Sequence, residues 1–316
     1  MGRPKPPAPA APVVNELSFP NARGQRLYAI EVLPPAGSAA CVVVWAHGHG
    51  EHSRRKLAVF EAWAARGIAV FSLDHHGMGA SEPHEPAQRL LVQSMGHLVD
   101  DFADYAAFAA KRHPELEGRP WFAGGYSIGG LTAALAVLRW QEEWAGLALY
   151  APAIGAVMTV LTRIQKFLGP CLDAAVPNLA ICQPVVAEAL NPDPAAVAAY
   201  LADPLCYSGR TRIRTAFQYN KGMEVAEIEA PRLRVPLYCE HAKGDALARW
   251  EDSREFCASV ASEDVTWTAS EGGCHDGLSS SDAPAIAARM GDWMLAKAAA
   301  AKGGKAADAA AQTTKK

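Results

Sequence analysis

Short apolar segments alternate with longer amphipathic segments along the first half of the chain. The apolar segments have the length of buried strands and end in turns rich in glycine or polar residues, whereas the amphipathic segments have helical spacing. In chain order the pattern predicts CVVVWAHG (41–48), a helix near 54–66, GIAVFSLDHHG (67–77), a helix near 88–112, PWFAGGYS (120–127), a helix near 128–140 and WAGLALYAP (144–152). Strands that are apolar on both faces and separated by helices belong to a mostly parallel sheet covered on both sides. The sequence therefore predicts an α/β fold with its functional groups at the carboxyl ends of the strands.

The alternation stops at Pro152 and resumes near residue 232. Residues 153–231 read as helices separated by prolines, with no buried-strand run, which is typical of a helical cap inserted into such a sheet. Beyond them the pattern predicts a strand in RVPLYCEHAKGD (234–245), a helix near 249–261, a strand in DVTWTASEGG (264–273) and a helix near 284–297. The core is therefore predicted in two parts, residues 15–152 and 232–298.

Both ends of the chain have compositions that bury little apolar surface. Residues 1–14 are rich in proline and alanine, and residues 299–316 are rich in alanine and lysine. Because so little burial does not offset the entropy of ordering, both ends are predicted to be disordered tails. Prolines interrupt the N-terminal end, and no apolar run approaches about 18 residues. We therefore expect neither a signal peptide nor a membrane span, and a cytoplasmic location.

Charge and cysteine usage narrow the classes of function. The chain has 30 basic and 33 acidic side chains, a formal net charge of −3, and no basic block outside the termini. No electrostatic footprint for nucleic acid is therefore present, and no nucleic-acid partner is expected. The seven cysteines are odd in number and widely spaced, which favours free thiols in a reducing compartment over a disulfide framework.

The segment GGYSIGG (124–130) contains a Gly-x-Ser-x-Gly motif between a predicted strand and a predicted helix. A nucleophilic serine on such a sharp turn needs glycine two positions to either side, because neighbouring backbone closes in there. The turn also lifts the hydroxyl into a cleft. The alternative is a helix start that Ser127 merely caps. The strand before it and the helix after it favour Ser127 as a nucleophile.

A nucleophilic serine needs a histidine base and an acid that orients the histidine, in the chain order serine, acid, histidine. Asp245 ends the next-to-last predicted strand, and His275 follows the last one, so both lie on loops at the same edge of the sheet as Ser127. Asp252 competes for the role of acid, but it lies within the following predicted helix. Taken singly, Asp245 is also explained as a turn residue and His275 as a solvated loop histidine. Together they form the set that the mechanism requires.

Several motifs resemble those of the monoglyceride lipase and lysophospholipase branch of the α/β-hydrolases, which is grouped with serine aminopeptidase-like hydrolases. HGHGEHSRRK (47–56) resembles the family's HG-x-GEHS-x-R-Y, LDHHGMGASE (73–82) its D-x-RGHG-x-S, GGYSIGG its GHSMGG, DPLCYSG (203–209) its cap signature and EHAKGD (240–245) its HGT-x-D. The match runs from about residue 16 to 297. The chain departs from these motifs at Tyr126 and Ile128, where His and Met are usual, at His76 in place of Arg, and at Ala242 in place of Gly.

The resemblance implies an α/β-hydrolase fold with helices on both faces of the sheet and an inserted cap. It also implies hydrolysis of a carboxylic ester of a single-chain lipid through an acyl-enzyme, with monoacylglycerol as the expected substrate. A lysophospholipase, a broad carboxylesterase and an acyltransferase are alternatives among enzymes. A non-catalytic receptor or binding protein on the same fold is the alternative from another class. No cofactor is implied, and the oligomeric state is not indicated.

The segment AHGHGEHS (46–53) has two interpretations. As His-x-His-x-acid-His behind a buried strand, it resembles the zinc-binding motif of metallo-β-lactamase-like hydrolases. As the family's HG-x-G loop, it forms part of an oxyanion hole: the resemblance implies that His49 and Ile128 donate the backbone N–H groups, while His47 and His52 position the loop. Zinc would need further ligands on downstream loops and would leave the serine, acid and histidine set unexplained. No metal is therefore expected.

The predicted cap begins with a stripe of apolar residues. In AIGAVMTVLTRIQKFLGP (153–170) they recur at helical spacing, at Ile154, Val157, Met158, Leu161, Ile164 and Leu168. The first four are candidate substrate contacts, since such a face is suited to line an acyl-chain tunnel. Packing on the core explains the stripe equally well. A third interpretation is that the apolar face lies in a membrane interface. Such contact would be weak, because the opposite face has only modest basic content.

Overall fold

The computed structural model describes residues 11–155, 169–182 and 185–313, with side chains described up to residue 301. The strands in these ranges are β1 (Val13–Pro20), β2 (Arg26–Leu33), β3 (Cys41–Ala46), β4 (Ile68–Leu73), β5 (Trp121–Tyr126), β6 (Gly146–Tyr150), β7 (Ala180–Cys182), β8 (Thr211–Arg212), β9 (Leu237–Ala242) and β10 (Val265–Ser270). The helices are α1 (Leu57–Ala64), α2 (Met95–Arg112), α3 (Ile128–Arg139), α4 (169–175), α5 (Ala187–Leu190), α6 (Pro194–Ala202), α7 (Ile213–Glu229), α8 (Trp250–Ser259) and α9 (Ala283–Thr313).

Eight strands form one sheet in the order β1-β2-β4-β3-β5-β6-β9-β10. The six strands from β4 to β10 in this order are parallel. Strand β2 runs antiparallel to both of its neighbours, β1 and β4. The predicted α/β fold with a mostly parallel sheet is therefore confirmed. Because parallel strands end at the same edge, the loops that follow β3, β5, β9 and β10 meet there.

The side chains of β3 alternate between two hydrophobic clusters, one on each face of the sheet. Val42 and Val44 belong to the cluster that includes residues of α2, α3 and α8. Val43 and Trp45 belong to the cluster that includes residues of α1 and α9. Since helices cover both faces, every residue of β3 is buried, which is why the strand reads as one continuous apolar run.

Strands β1 and β2 form an edge hairpin that the apolar pattern does not predict. Only Phe19 of β1 is buried, so the strand has no continuous apolar run. The turn between the strands includes Gly24, whose φ of 77° favours glycine. The hairpin also corrects a predicted boundary. Residues 13 and 14 belong to a strand, so the N-terminal tail predicted over 1–14 is wrong at its end.

Helix α9 continues to Thr313, through most of the tail predicted over 299–316. The prediction of a disordered segment from residue 299 is therefore corrected. Alanine and lysine are strong helix formers, so they continue a helix that has begun on the core. Within the part of the chain that the structure describes, no helix is both long enough and apolar enough to cross a membrane.

Between β6 and β9 the chain leaves the sheet in a segment called the insertion here, residues 153–231. It contains helices α4 to α7 and an antiparallel pair formed by β7 and β8. In the described part of the insertion, residues 153–155, 169–182 and 185–231, helices are present, and the two-stranded pair is an addition to the prediction. Helix α7 packs against α2 and α3. The backbone N–H of Tyr207 donates to the Gly50 carbonyl oxygen at 2.8 Å, so the insertion contacts the loop that follows β3.

Candidate active site

Ser127 lies on the sharp turn between β5 and α3. Its backbone φ of 55° and ψ of −125° is a conformation that residues with a side chain rarely adopt. A Cβ added at Gly125 would lie 2.4 Å from the backbone of Gly129, and one added at Gly129 would lie 2.1 Å from the Ala46 carbonyl oxygen. Glycine alone fits at both positions, which is the physical reason for the Gly-x-Ser-x-Gly spacing.

Ser127, His275 and Asp245 form one hydrogen-bonded row. Nε2 of His275 lies 2.9 Å from Oγ of Ser127, and Nδ1 of His275 lies 2.6 Å from Oδ2 of Asp245. Because an ionised carboxylate only accepts hydrogen bonds, Nδ1 holds the ring proton and Nε2 accepts from the serine hydroxyl. Asp252, the competing acid, lies on α8 with its carboxylate 3.8 Å from Arg249. The structure brings the three predicted residues together and places Asp252 elsewhere.

The buried carboxylate of Asp245 accepts four hydrogen bonds. Its Oδ1 accepts from the backbone N–H groups of Leu247 at 2.7 Å and Ala248 at 2.9 Å. Its Oδ2 accepts from His275 and, at 2.8 Å, from Nε2 of His241. Burial alone would raise the pKa of the Asp245 carboxyl, but the hydrogen bonds from His241 and His275 prevail and hold this pKa below its ordinary value. The acid is therefore ionised at neutral pH.

His241 is a site residue that the sequence analysis missed. It lies on β9 and is fully buried. Its Nδ1 is 2.8 Å from Oγ of Ser253 on α8. Because the Asp245 carboxylate only accepts hydrogen bonds, the ring proton of His241 is on Nε2, and Nδ1 accepts from the Ser253 hydroxyl. The one signal in the sequence was the resemblance of EHAKGD to HGT-x-D, which matched this histidine without giving it a role.

The backbone N–H groups of His49 and Ile128 belong to two segments that touch. The first turn of α3 packs on the end of β3, as the close approach of Gly129 to Ala46 shows. Within the described residues, neither N–H group donates to a protein acceptor. Both residues line the pocket that contains Ser127. Two N–H groups placed in this way are suited to bind a developing oxyanion.

His47 is fully buried at the start of the oxyanion loop, defined here as residues 47–51. Its Nδ1 lies 2.7 Å from the Gly48 carbonyl oxygen, and its Nε2 accepts the backbone N–H of His75 at 2.9 Å. Burial lowers the pKa of His47 to about 3, so the ring is neutral. At the other end of the loop, Oε1 of Glu51 accepts the Gly48 N–H at 2.9 Å. These contacts fix the loop's backbone.

The His49 side chain connects the oxyanion loop to the insertion. Nδ1 lies 3.0 Å from the Tyr219 hydroxyl, and Nε2 lies 3.3 Å from the Thr211 hydroxyl. Burial lowers the pKa of His49 to about 4, so this ring is neutral as well. The sequence motif indicates a role only for the backbone of His49, because the partners of its ring lie more than 160 positions away.

His52 pairs with the insertion at another point, where its Nε2 lies 2.9 Å from Oδ2 of Asp203. The rings of His47, His49 and His52 therefore contact separate partners, and the segment AHGHGEHS does not form the zinc cradle considered above. Cys206 lies near His52 and Asp203. Burial raises the pKa of the Cys206 thiol to about 12.

A cavity of about 370 Å³ opens at Ser127. The insertion supplies much of its wall, including the apolar residues Val185, Leu190, Ala216 and Met223. Of the candidate substrate contacts, Ile154 packs in the core and lines a neighbouring cavity of about 400 Å³. The neighbouring cavity shares Gly155, Asn220 and Met223 with the first one. The other candidates fall outside the described residues: Val157, Met158 and Leu161, with Ile164 and Leu168 of the same stripe.

The arrangement is suited to acyl transfer through a covalent acyl-enzyme. A serine hydroxyl faces the unprotonated nitrogen of an imidazole, an ionised carboxylate holds the other nitrogen, and two backbone N–H groups lie beside the nucleophile. These groups follow β3, β5, β9 and β10 at the carboxyl edge of the sheet. With this chemistry at this place in the fold, the protein is a serine hydrolase of the α/β-hydrolase fold.

Known proteins similar to this chain narrow the class to a family. The profile of the family described as serine aminopeptidase, S33, matches residues 37–282. The chain is 32% identical over 254 residues to a monoacylglycerol lipase of Mycolicibacterium smegmatis, covering 79% of this chain and 86% of the relative. It is 27% identical over 255 residues to a human monoglyceride lipase, covering 81% of each. The chain belongs to the serine aminopeptidase S33 family, and the resemblance seen in its motifs is confirmed.

A solved structure gives the same fold. A soluble variant of monoglyceride lipase from Saccharomyces cerevisiae, in complex with a substrate analog, superposes with a TM-score of 0.79. The match covers 93% of this chain and 99% of that structure at 17% sequence identity. At this identity the likeness concerns the fold alone, and it agrees with the eight-stranded sheet described above.

Proposed function

We propose that this protein is a monoacylglycerol lipase, which splits the ester of a single-chain lipid into a fatty acid and glycerol. The observation that carries the proposal is the row of Ser127, His275 and Asp245 at a cavity with an apolar wall. The relatives named monoacylglycerol lipase and monoglyceride lipase support the choice of substrate.

In the proposed acylation step, Ser127 Oγ attacks the ester carbonyl carbon while His275 Nε2 takes the hydroxyl proton. The carbonyl oxygen becomes an oxyanion, which accepts hydrogen bonds from the backbone N–H groups of His49 and Ile128. His275 then gives the proton to the glycerol oxygen. The bond from the acyl carbon to that oxygen breaks, glycerol leaves, and the acyl group stays on Ser127.

In the proposed deacylation step, a water molecule attacks the acyl carbon and His275 takes its proton. The second oxyanion collapses, the bond to Ser127 Oγ breaks, and His275 returns the proton to the serine oxygen. Asp245 stays ionised throughout and stabilises the imidazolium that forms in each step. Its lowered pKa supports this role, because a carboxyl that remains ionised holds His275 in one tautomer.

The lining of the cavity supports a substrate with an apolar chain and a small polar head. Apolar side chains of the insertion provide surface for an acyl chain. Thr211, Asn220 and Glu51 also line the cavity and are able to bind hydroxyl groups of a glycerol head. A single-chain ester with a compact polyol head fits a cavity that has both an apolar wall and these polar lining residues.

Residues 153–231 are proposed to act as a cap that receives lipid from a membrane surface. The described part of the insertion leaves large apolar side chains in solvent, with exposures of 50% for Leu179, 49% for Ile181, 42% for Val186 and 55% for Leu201. An exposed apolar group beside a lipid-binding cavity supports weak, reversible contact with a bilayer surface. Substrate would then enter the cavity without first passing through water.

The proposal is tested by a panel of esters on the purified chain, with Ser127→Ala as the blank. We expect monoacylglycerols to have the highest kcat/KM. A preference for lysophospholipids would instead indicate a lysophospholipase, and turnover confined to short p-nitrophenyl esters a broad carboxylesterase. Transfer to an added alcohol faster than to water would indicate an acyltransferase. No turnover of any ester, with no labelling of Ser127, would indicate a binding protein.

A further inference from the structure

Lys56 is completely buried among segments of the active site, with a side-chain exposure of 0%. It ends the short turn that joins the oxyanion loop to α1. Its Nζ donates hydrogen bonds to Oε2 of Glu51 at 3.1 Å and to Oγ of Ser279 at 3.0 Å. The same nitrogen forms an ion pair with Oδ1 of Asp276 at 2.8 Å and lies 4.9 Å from the centre of the Tyr126 ring.

Three of these four partners, Glu51, Asp276 and Tyr126, belong to or adjoin groups that the proposed reaction uses. Glu51 belongs to the oxyanion loop, and its other carboxylate oxygen already holds the backbone of that loop. Asp276 directly follows His275, and Tyr126 directly precedes Ser127. The Tyr126 ring also packs against the ring of His275, with 5.1 Å between the ring centres. One ammonium group therefore contacts all three segments whose relative placement sets the geometry of the site.

The environment of Lys56 matches its charge. Two oxygen atoms accept hydrogen bonds from the ammonium group, and Oδ1 of Asp276 lies beside it as an ion-pair partner that accepts no hydrogen bond from the described residues. The cations of Lys56 and Arg55 balance the carboxylates of Glu51 and Asp276, with Arg55 at 3.4 Å and 3.7 Å from them. A buried cluster of this kind adds little stability over apolar packing, because desolvation offsets the attraction. Because the cluster lies where three segments of the site meet, we expect it to fix the positions of these segments relative to one another.

We propose that Lys56 is a positioning residue that holds the oxyanion loop and the histidine loop, residues 274–279, at a fixed separation about Ser127. The inference rests on the proposed function, because the separation matters only to a working serine hydrolase. Displacing catalytic groups by about 1 Å lowers turnover by about 10²-fold. The acyl chain binds against the insertion, which Lys56 does not contact through any of the interactions above. Loss of Lys56 therefore acts on kcat more than on KM.

The ammonium group of Lys56 also lies over the aromatic face of Tyr126, an attractive arrangement for a desolvated cation.

Three variants test the proposal. Lys56→Met removes the charge and keeps an unbranched side chain. The double variant Lys56→Met with Asp276→Asn also removes the carboxylate left without its closest partner, so the charges of the cluster balance again. Arg112→Met is the control for the loss of a cation beside a buried carboxylate on elements that hold no site residue. It removes the half-exposed guanidinium that lies 3.0 Å from the fully buried Glu31, and His113 remains at 3.1 Å from the same carboxylate.

The readouts are kcat and KM for a monoacylglycerol and for a short p-nitrophenyl ester, together with the thermal midpoint. In both Lys56 variants we expect kcat to fall by about 10-fold to 100-fold on both esters. We expect KM to change by less than about threefold for the p-nitrophenyl ester, which has no glycerol head to contact Glu51. The double variant is expected to regain part of the thermal midpoint that the single variant loses. Arg112→Met is expected to lose stability while kcat stays at the parent value.

A parent-like kcat in the double variant would overturn the proposal, because the loss in Lys56→Met would then come from an unpaired carboxylate. The kcat of the double variant tests the positioning role even if Lys56→Met alone fails to fold. An equal loss of kcat in Arg112→Met would overturn it too, since any destabilised variant would then behave alike. If the parent chain itself shows no turnover and no labelling of Ser127, the proposed function fails, and that outcome is distinct from the other two.

Discussion

His241 donates a hydrogen bond from Nε2 to Oδ2 of Asp245 at 2.8 Å, the same carboxylate oxygen that accepts from His275. Two histidines thus fix one oxygen, and the Ser253 hydroxyl in turn orients His241. Rotation of the carboxylate away from His275 would also break its bond to His241. His241 therefore positions the acid of the site without contacting Ser127.

Replacing His241 with alanine is expected to lower kcat about tenfold, because the carboxylate loses one of the donors that orient it. Steady-state kinetics on a short p-nitrophenyl ester measures this, since such a substrate does not depend on the cap. Ser253→Ala should change kcat in the same direction but by less, because it acts on Asp245 only through His241. A kcat within twofold of the parent for His241→Ala would contradict this role.

The lowered pKa of Asp245 predicts how stability depends on pH. An unfolded aspartate has a pKa of about 3.9, and the folded value lies below it because His241 and His275 outweigh the effect of burial. The ionised carboxylate therefore stabilises the fold above about pH 4, and this contribution is lost as the pH falls further. Asp245→Asn lacks it at every pH.

The deficit in unfolding free energy of Asp245→Asn relative to the parent should therefore shrink as the pH falls from 5 to 3. Urea unfolding of both chains at several pH values in this range measures the difference. A deficit that stays constant or grows toward pH 3 would show that the folded carboxyl does not have a lowered pKa.

The oxyanion role of His49 concerns its backbone, so two substitutions separate it from the side chain. His49→Pro removes the N–H and is expected to lower kcat by about 10²-fold to 10³-fold. His49→Ala keeps the N–H and loses only the contacts with Tyr219 and Thr211, so a loss of a few-fold is expected. Thermal midpoints of both variants check that the loop is intact. Equal kcat values would argue that this N–H binds no oxyanion.

Membrane contact through the insertion is tested by Leu179→Ser with Ile181→Ser. Vesicle binding and turnover of a long-chain monoacylglycerol should fall, while turnover of a short soluble ester and the thermal midpoint stay close to the parent values. The backbone N–H of Ile213, at the start of α7, donates to the Leu179 carbonyl oxygen at 3.1 Å, so Leu179 lies at that end of the helix. Ile228 lies 15 residues further along this helix, about 22 Å away.

Ile228→Ser is therefore the matched control, because it removes an apolar side chain that is 73% exposed at the other end of the helix. If it weakens vesicle binding as much as the double substitution does, the contact is not localised to the part of the insertion that holds Leu179 and Ile181. Equal damage to both esters by the double substitution would instead show that Leu179 and Ile181 support the fold.

The parts of the fold that follow from burial on both faces were predictable from sequence. Strand β3 is covered by helices on both sides, so all of its residues are apolar and the run is visible without a structure. The Gly-x-Ser-x-Gly turn was equally visible, because a Cβ at Gly125 or Gly129 collides with backbone. Chain order then placed Asp245 and His275 on loops at the same edge of the sheet.

What the sequence did not reveal depends on contacts between distant segments. Lys56 lies in a run of three basic residues that resembles a solvated surface, and only the fold places it among Glu51, Asp276 and Ser279. His241 was hidden because its role comes from the direction of one ring nitrogen. Strand β1 was missed since a single buried residue, Phe19, gives no periodic signal.

The most direct test of the central claim is to ask whether Ser127 is the residue that becomes acylated. The purified chain is treated with a fluorophosphonate, the modified peptide is identified by mass spectrometry, and monoacylglycerol hydrolysis is followed in parallel, with Ser127→Ala as the control. We predict one modification, on Ser127, with activity lost in proportion to labelling, and neither labelling nor turnover in the variant. Stoichiometric labelling of another residue, or full hydrolysis by Ser127→Ala, would contradict the claim.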